Sequence, residues 1–238
     1  MQPLASALKT LALLDHFGHC SGAQRLADLA RNLEAGRATV YQRLVTLIAA
    51  GWVEQTPDGR FRLTLRATRL ARAATEQAGF GDRTLPVLEA LMAETGEAAS
   101  LAVLEEGEPR IIQRVEPRGV LRVEMRIGAT MSLRESASGR VLLAFGGPRA
   151  EAEARAHGHA LPNDEVLAEV RASGHSISSG RSIEGIRAAA VPVFDGAGAC
   201  IAALSLVAPA HRFATDGWIG PLRAAALRLR DLMEGQTA

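Results

Sequence analysis

Residues 37–63 read RATVYQRLVTLIAAGWVEQTPDGRFRL and decide the fold of the front of the chain. Apolar residues recur there at helical spacing, and Gly51 follows in the place of a C-cap glycine. The triplet Pro57-Asp58-Gly59 then separates two short extended runs and is typical of a hairpin turn. The stretch therefore predicts a helix over about 36–50, followed by a β-hairpin.

Two amphipathic segments precede this one. The first ends near Gly18, and its apolar residues at helical spacing are Leu4, Ala7, Leu8, Leu11 and Leu14. The second opens with SGAQ at residues 21–24, a Ser followed three residues later by Gln, which is the pattern of a capping box. Three helices followed by a hairpin is the order of a winged helix-turn-helix.

The polar face of the third predicted helix carries side chains suited to DNA. Arg and Gln make paired hydrogen bonds to guanine and adenine edges, and Thr and Tyr hydroxyls hold phosphates. An arginine at the hairpin tip reaches a neighbouring groove or phosphate. The candidate DNA-binding residues are Arg37, Thr39, Tyr41, Gln42, Arg43 and Arg60. The alternative is a solvated polar face without a partner, because three-helix arrays also occur outside DNA-binding proteins.

The net charge of +1 hides an asymmetry. Of the 27 basic and 26 acidic residues, 10 and 6 lie in residues 1–80, a charge of +4 against −3 for the remainder. A basic front half on a slightly acidic back half favours a nucleic-acid-binding module joined to a second domain.

Length and composition set the outer limits. A chain of 238 residues, 47% hydrophobic and 22% charged, predicts two globular domains rather than disorder. No apolar run approaches the roughly 20 residues of a membrane helix, and we expect no secretory signal. Cys20 and Cys200 lie far apart, which favours a reduced, cytoplasmic setting.

The back half mixes helical and strand patterns. Residues 65–78 are rich in Arg and Ala and predict a connecting helix. Beyond it, strands are expected at 100–104, 110–115, 120–126, 188–194 and 200–207, and helices at 84–95, 137–145, 149–157, 164–173 and 216–233. Strands in hairpins with helices at the ends predict an α+β fold with a mostly antiparallel sheet.

The front motifs resemble the winged helix-turn-helix of IclR-type bacterial transcription regulators. The resemblance is carried by ASALKTLALL at 5–14, LADLA at 26–30, RATVYQRL at 37–44 and LIAAGWV at 47–53. Two features depart from the usual family core. Ala38 replaces a hydroxyl residue, and Tyr41-Gln42 stands before Arg43 where His or Tyr is common, so the operator need not match that of a typical member.

The back half resembles the same family at LAVLEEG (101–107), LRESASGRVLLA (133–144), GIRAAAVPVFD (185–195) and AALSL (202–206). The resemblance implies a winged helix-turn-helix over 1–65 and a linker helix over 66–80, at or near a dimer interface. It also implies a GAF-like effector-binding domain over 81–238. The expected partners are a double-stranded DNA operator, a small-molecule effector and further copies of the chain, as a dimer or tetramer.

By the same resemblance, the effector pocket is lined by the start of the helix near 136–139 and by the late strands. The candidate effector-binding residues are Met131, Ser136, Ala137, Ser138, Gly139, Ser178, Ile186, Ala188 and Ser205, with Leu121 and Leu133 as further apolar walls. A helix N-terminus favours a carboxylate, so we expect a carboxylate-bearing or aromatic effector. Arg134-Glu135 replaces the family's usual His-Ala or His-Ser pair, and Ala188 stands where many members carry Cys. The alternative is that these serines only cap helices and turns.

No enzyme, metal or cofactor signature accompanies these motifs. Neither a Gly-x-Ser-x-Gly elbow nor a phosphate-binding glycine loop is present in the sequence. His16, His19 and Cys20 cluster at a helix end without a second ligand pair, and His157 and His159 fall in a predicted loop, so we expect no metal site. The predicted function is a ligand-responsive transcription regulator that is not an enzyme and does not contact a membrane. The alternatives are a GAF-like binding or catalytic protein whose front domain mediates protein contacts, and an architectural DNA binder without a ligand.

Overall fold

A computed structural model describes residues 2–117, 125–178, 184–213 and 215–234. Most of the strand expected at 120–126, including Leu121, lies outside these ranges. The chain divides into two compact units, Met1–Glu76 and Gln77–Ala238. Each unit has a hydrophobic core of its own. No helix in the described ranges is long and apolar enough to cross a membrane.

The first unit is a winged helix-turn-helix. Its elements are α1 (Ala5–Gly18), α2 (Leu26–Asn32), α3 (Arg37–Ala49), the antiparallel strands β1 (Val53–Gln55) and β2 (Phe61–Leu63), and α4 (Arg66–Gln77). Side chains from the first three helices and both strands meet in one core, whose fully buried members include Leu13, Leu29, Val40 and Leu44. Gly51 takes a left-handed φ of 76° just after α3, as the sequence predicts.

Most of the expected apolar stripe of α1 does not face this core, although Leu14 at its end packs against it. Leu13 and Phe17 are the buried residues of α1, whereas Leu4, Leu8 and Leu11 are 76%, 53% and 53% exposed. Periodicity shows which residues share a helix face, and a second apolar face on the same helix competes for the core.

The capping box expected at 21–24 is wrong. The helix α2 begins at Leu26 after an extended Arg25, which makes no side-chain cap. Gln24 is instead held by the wing, the hairpin of β1 and β2, because its N–H and C=O both pair with the backbone of Phe61 at 2.7 and 2.8 Å. A long-range backbone pair therefore replaces the local helix cap.

The second unit is a five-stranded antiparallel sheet between two layers of helices. The strands are β3 (Ala98–Glu105), β4 (Glu108–Val115), β5 (Ser176–Ile177), β6 (Ile186–Phe194) and β7 (Cys200–Pro209), in the spatial order β4-β3-β7-β6-β5. The helices are α5 (Leu85–Thr95), α6 (Ala137–Ala156), α7 (Asp164–Ser173) and α8 (Thr215–Glu234). One face of the sheet packs on α5 and α8, and the other packs on α6, which α7 covers in turn. The predicted α+β class with a mostly antiparallel sheet is confirmed.

Several boundaries follow directly from local chemistry. Asn163 caps α7 by accepting from the Val166 N–H, and Gly174 ends it with a φ of 71°. The helix α6 contains a break at Gly147, where φ is 69°, immediately before Pro148. This break separates the two helices that the sequence predicts at 137–145 and 149–157.

Candidate DNA-binding face and effector pocket

The helix α3 turns one apolar row to the core, while Val45 and Ile48 remain 39% and 37% exposed. Val40, Leu44 and Leu47 are buried. Among the candidate DNA-binding residues on this helix, Arg43 is half-buried and four are exposed, namely Arg37, Thr39, Tyr41 and Gln42. The structure thus brings these five side chains to one helix outside the core.

The positive charges on this helix are not neutralised locally. Neither Arg37 nor Arg43 forms an ion pair with any residue that the structure describes. Gly36, the N-cap of α3, offers no side-chain cap, so the first backbone N–H groups lack a side-chain acceptor there. Free N–H groups and unpaired guanidinium groups both favour phosphate.

The wing arginine differs from those on α3. Arg60 Nε lies 3.0 Å from Asp58 Oδ2, and Thr56 Oγ1 donates to the other carboxylate oxygen at 2.5 Å. The Thr56 hydrogen bond, together with Arg60, lowers the pKa of the exposed Asp58 carboxyl. Arg60 can therefore contact DNA only if it exchanges the Asp58 carboxylate for a phosphate.

A clamp formed by Arg66, Trp52 and Ala50 joins the end of α3 to the start of α4. Arg66 Nη1 donates to the Ala50 carbonyl at 2.5 Å, and the guanidinium lies 4.7 Å from the centre of the Trp52 ring. Thr64 Oγ1 also donates to the Gly51 carbonyl at 2.7 Å. These contacts give hydrogen-bond partners to the carbonyls of Ala50 and Gly51, the two residues that follow α3.

The second unit contains a cavity of about 240 Å³ at the N-terminus of α6, which we call the Ser138 cavity. It lies between this helix, the 130–132 segment and one face of β6 and β7. Its lining residues are Met125, Thr130, Met131, Ser132, Glu135, Ser136, Ala137, Ser138, Ser178, Ile186, Ala188, Ser205 and Val207. Eight of the nine candidate effector-binding residues thus come together around one space.

Gly139 and Leu133 do not line this cavity. A Cβ on Gly139 would lie 2.6 Å from both Leu133 Cα and the Ser132 carbonyl oxygen, so only glycine allows α6 to approach this backbone. Gly139 therefore shapes the wall from behind, and Leu133 is buried in the core beneath α6.

The serines of the cavity differ in whether their hydroxyl groups are free to hydrogen-bond a ligand. Ser136 Oγ accepts from the Gly139 N–H at 2.9 Å and donates to the Ser132 carbonyl at 2.6 Å, so this hydroxyl serves as the helix cap. Ser178 Oγ accepts from the Ala188 N–H at 2.7 Å. Ser205 Oγ is 3.4 Å from the Ser100 carbonyl, a weak bond. Ser138 Oγ has no hydrogen-bond partner within the described ranges, which leaves its hydroxyl the most available.

The sequence did not predict five of the residues that line the cavity, namely Met125, Thr130, Ser132, Glu135 and Val207. Val207 had a usable signal, because it stands two residues after Ser205 and therefore on the same face of β7. Glu135 brings a carboxylate to the cavity, 3.7 Å from Arg134 Nε. Its only sequence signal was the Arg134-Glu135 pair that replaces the family's usual residues.

Family models match both units of the chain. The IclR helix-turn-helix domain matches residues 6–57, and the C-terminal domain of bacterial transcriptional regulator IclR matches residues 73–230. The chain belongs to the IclR family. The regulator is 30% identical over 230 residues to the glycerol operon regulatory protein of Streptomyces griseus, covering 91% of this chain and 88% of that protein. It is 29% identical to the regulator KdgR of Dickeya chrysanthemi, over 97% of this chain and 80% of that one.

Solved structures agree with this assignment. A putative IclR transcriptional regulator from Silicibacter sp. TM1040 has a TM-score of 0.82 and 27% identity, over 97% of this chain and 96% of that one. An IclR homologue from Microbacterium hydrocarbonoxydans, complexed with 4-hydroxybenzoate, has a TM-score of 0.82 and 24% identity, over 97% and 100% of the chains. The family models and the relatives named above make the regulator a DNA-binding transcription factor with a C-terminal effector domain. Its relatives are regulators and not enzymes.

Proposed function

We propose that this regulator binds a roughly palindromic operator in the bacterial cytoplasm as a homodimer or a dimer of dimers. In this proposal, a small organic effector in the Ser138 cavity changes the affinity for DNA. The observation that carries the proposal is the set of exposed polar side chains and unpaired arginines on α3. This helix stands at the recognition position of a winged helix-turn-helix.

Arg37, Thr39, Tyr41, Gln42 and Arg43 are assigned to the major groove and its flanking phosphates. Arg43 is half-buried beside the core, so its position is better fixed than those of its exposed neighbours. A fixed guanidinium is suited to a base edge, whereas an exposed, freely rotating one is suited to a phosphate. Arg60 on the wing is assigned to a neighbouring phosphate or minor groove, after release from Asp58.

Self-association is supported by the exposed face of α1. Leu4, Leu8 and Leu11 lie on one stripe, and each is more than half exposed. Contiguous exposed leucines mark protein interaction sites, and a two-fold axis makes such a stripe self-complementary. A dimer also places two copies of α3 about one turn of DNA apart.

The cavity supports an effector with a compact apolar or aromatic body and a few polar groups. Met125, Met131, Ile186 and Val207 supply apolar walls, and Ser138 supplies an available hydroxyl. At the N-terminus of α6, the Ala137 and Ser138 N–H groups have no intrahelical acceptor and favour a carboxylate. Glu135 opposes a second negative charge, so an effector with a single carboxylate fits this environment better than a dicarboxylate.

The DNA assignment is tested by fluorescence anisotropy on a genomic fragment selected with the purified regulator. Specific binding is expected to exceed binding to random DNA and to fall steeply with salt. Arg43→Ala is expected to weaken specific binding about tenfold or more. Arg228→Ala, which removes an exposed arginine from α8, is the matched control and should bind like the wild type. Equal affinities of the two variants for the fragment would contradict the role of Arg43.

The effector assignment is tested on the same fragment with a panel of aromatic and aliphatic monocarboxylates, starting with 4-hydroxybenzoate. Ser138→Phe fills the cavity from one wall and is expected to abolish the response while DNA affinity is retained. A Ser138→Phe protein that responds to the effector like the wild type would contradict the pocket. DNA binding that no compound alters would favour an architectural role.

A further inference from the structure

A second concave site lies at the open edge of the sheet in the effector domain. Its volume is about 290 Å³, near the lower end of the range for ligand pockets, roughly 300–1,000 Å³. It is lined by Phe145, Gly174, Val191, Pro192, Phe194, Arg223, Ala226, Leu227 and Arg230, and we call it the edge groove. None of these residues lines the Ser138 cavity.

The walls of the edge groove are apolar and partly aromatic. Phe145 from α6 and Phe194 from β6 meet edge to face, with ring centres 5.7 Å apart. Ala226 and Leu227 supply the wall on α8, and Leu227 is 53% exposed. An exposed leucine facing two aromatic rings leaves an apolar space that a compact apolar body can fill.

Two arginines stand at the ends of the α8 wall. Arg223, Ala226, Leu227 and Arg230 follow the spacing of one helix face. Arg223 Nη2 donates to the Ser173 carbonyl at 2.7 Å, and its guanidinium has no carboxylate within ion-pair distance among the described residues. The guanidinium is therefore a positive charge at the rim with most of its donors still available.

Arg230 supplies a second donor, whose contacts with neighbouring carboxylates are long. Its Nη2 lies 3.4 Å from Asp231 Oδ1, and its Nε lies 3.5 Å from Glu234 Oε1. The Nε atom is nevertheless buried and makes no hydrogen bond. This N–H is therefore buried with only a long contact to the Glu234 carboxylate, and an anionic oxygen that came closer would satisfy it better.

The backbone at this edge disfavours a strand as the occupant. The strand β5 pairs with β6 only at Ala189 and Ala190, so β6 has no described neighbour on this side from Val191 onward. Ala188 directs its carbonyl to Ser178 on this side, and by the two-residue alternation of a strand Pro192 faces the same way. Proline has no N–H to donate, so a strand added at this edge would lack one backbone hydrogen bond.

We propose that the edge groove is a second small-molecule site and that its ligand is a compact organic carboxylate. The ligand's single ring or short branched chain lies between the two phenylalanines and Leu227. Its carboxylate lies at the rim, against Arg223 and the Nε of Arg230. The charge pairing fixes the orientation, and the apolar walls set the size.

The test uses the full chain and 4-(trifluoromethyl)benzoate as the probe, followed by 19F NMR. Ser138→Phe serves as the background, because it closes the other cavity, and the wild type is titrated in parallel. Saturable binding is expected in the background protein. Arg223→Met keeps an apolar stem but removes the charge and should weaken this binding about tenfold or more. Arg228→Met, on the same helix but outside the groove, should match the background within about twofold.

Two further measurements test whether binding requires the carboxylate and whether it occurs in the edge groove. The neutral probe 4-(trifluoromethyl)benzamide should bind at least about tenfold more weakly than the benzoate, and Leu227→Trp should block both probes. The proposal is overturned if Arg223→Met and Arg228→Met bind the benzoate equally, or if the amide binds as well as the acid. It is also overturned if the background protein shows no binding while Leu227→Trp lowers the mass in sedimentation velocity, because the groove is then an interface between copies.

Discussion

Replacing Gly139 with alanine tests how the wall of the Ser138 cavity is built. The added Cβ would lie 2.6 Å from Leu133 Cα and from the Ser132 carbonyl oxygen, and 2.9 Å from the Leu133 carbonyl oxygen. All three atoms belong to the backbone, so no side chain can rotate away. Either α6 or the 132–133 segment must move by several tenths of an ångström.

The expected cost follows from two opposing effects. Overpacking against fixed atoms costs about 3 kcal/mol, the upper end of the usual range. Alanine in a helix is favoured over glycine by about 1 kcal/mol. The net loss is therefore about 2 kcal/mol, which corresponds to about 4–8 °C in the Tm of a domain of this size.

Thermal unfolding is followed by the fluorescence of Trp218, which is buried in the effector domain. A Trp52→Phe background removes the other tryptophan of the chain. Ser138→Ala is the matched control, since it changes the neighbouring buried residue without adding atoms, and its effect should stay within about 1 kcal/mol. A Gly139→Ala protein as stable as the control would refute the close approach of α6 to residues 132–133.

Three further predictions concern other parts of the molecule. Burial raises the pKa of Cys200 to about 11, so at pH 8 only about one thiol in a thousand is ionised. Iodoacetamide should therefore modify Cys20 first in peptide mass spectrometry, and equal rates would contradict the burial of Cys200. Arg66→Met removes both contacts of the clamp and should speed amide hydrogen exchange at residues 50–52, whereas unchanged exchange would show that the clamp contributes nothing. Leu8→Glu places a charge in the exposed stripe of α1 and should lower the mass in sedimentation velocity; an unchanged mass would move the dimer interface elsewhere.

The sequence predicted best those elements whose ends are set by local chemistry. The helix expected at 164–173 matches α7, whose ends the structure shows to be set by Asn163 and a left-handed Gly174. The wing was predicted from its Pro57-Asp58-Gly59 turn, and the gap between the helices expected at 137–145 and 149–157 coincides with the break at Gly147 and Pro148. In each case, the residues that stop an element lie within a few positions of it, so a short window of sequence contains the cause.

Prediction failed where the deciding contact is distant in sequence. The SGAQ pattern at 21–24 could not reveal that Gln24 pairs with Phe61, which lies 37 positions later. Gly139 lies behind the cavity wall rather than in its lining, and the sequence could not show this because a glycine suits a ligand contact and a tight backbone crossing equally well. Glu135 was missed because nothing local showed that the residue before the α6 cap faces the cavity.

The Arg66 clamp has a mechanical consequence. One guanidinium contacts the carbonyl of Ala50, the C-cap of the recognition helix, and the ring of Trp52, while its own backbone begins the next helix. Rotating the first turn of α4 relative to α3 would therefore cost these two contacts, so the orientations of the two helices are coupled. Because coupling is reciprocal, DNA that fixes the orientation of α3 also disfavours rotation of α4. In the proposed mechanism, the operator would therefore oppose an effector that acts by rotating α4.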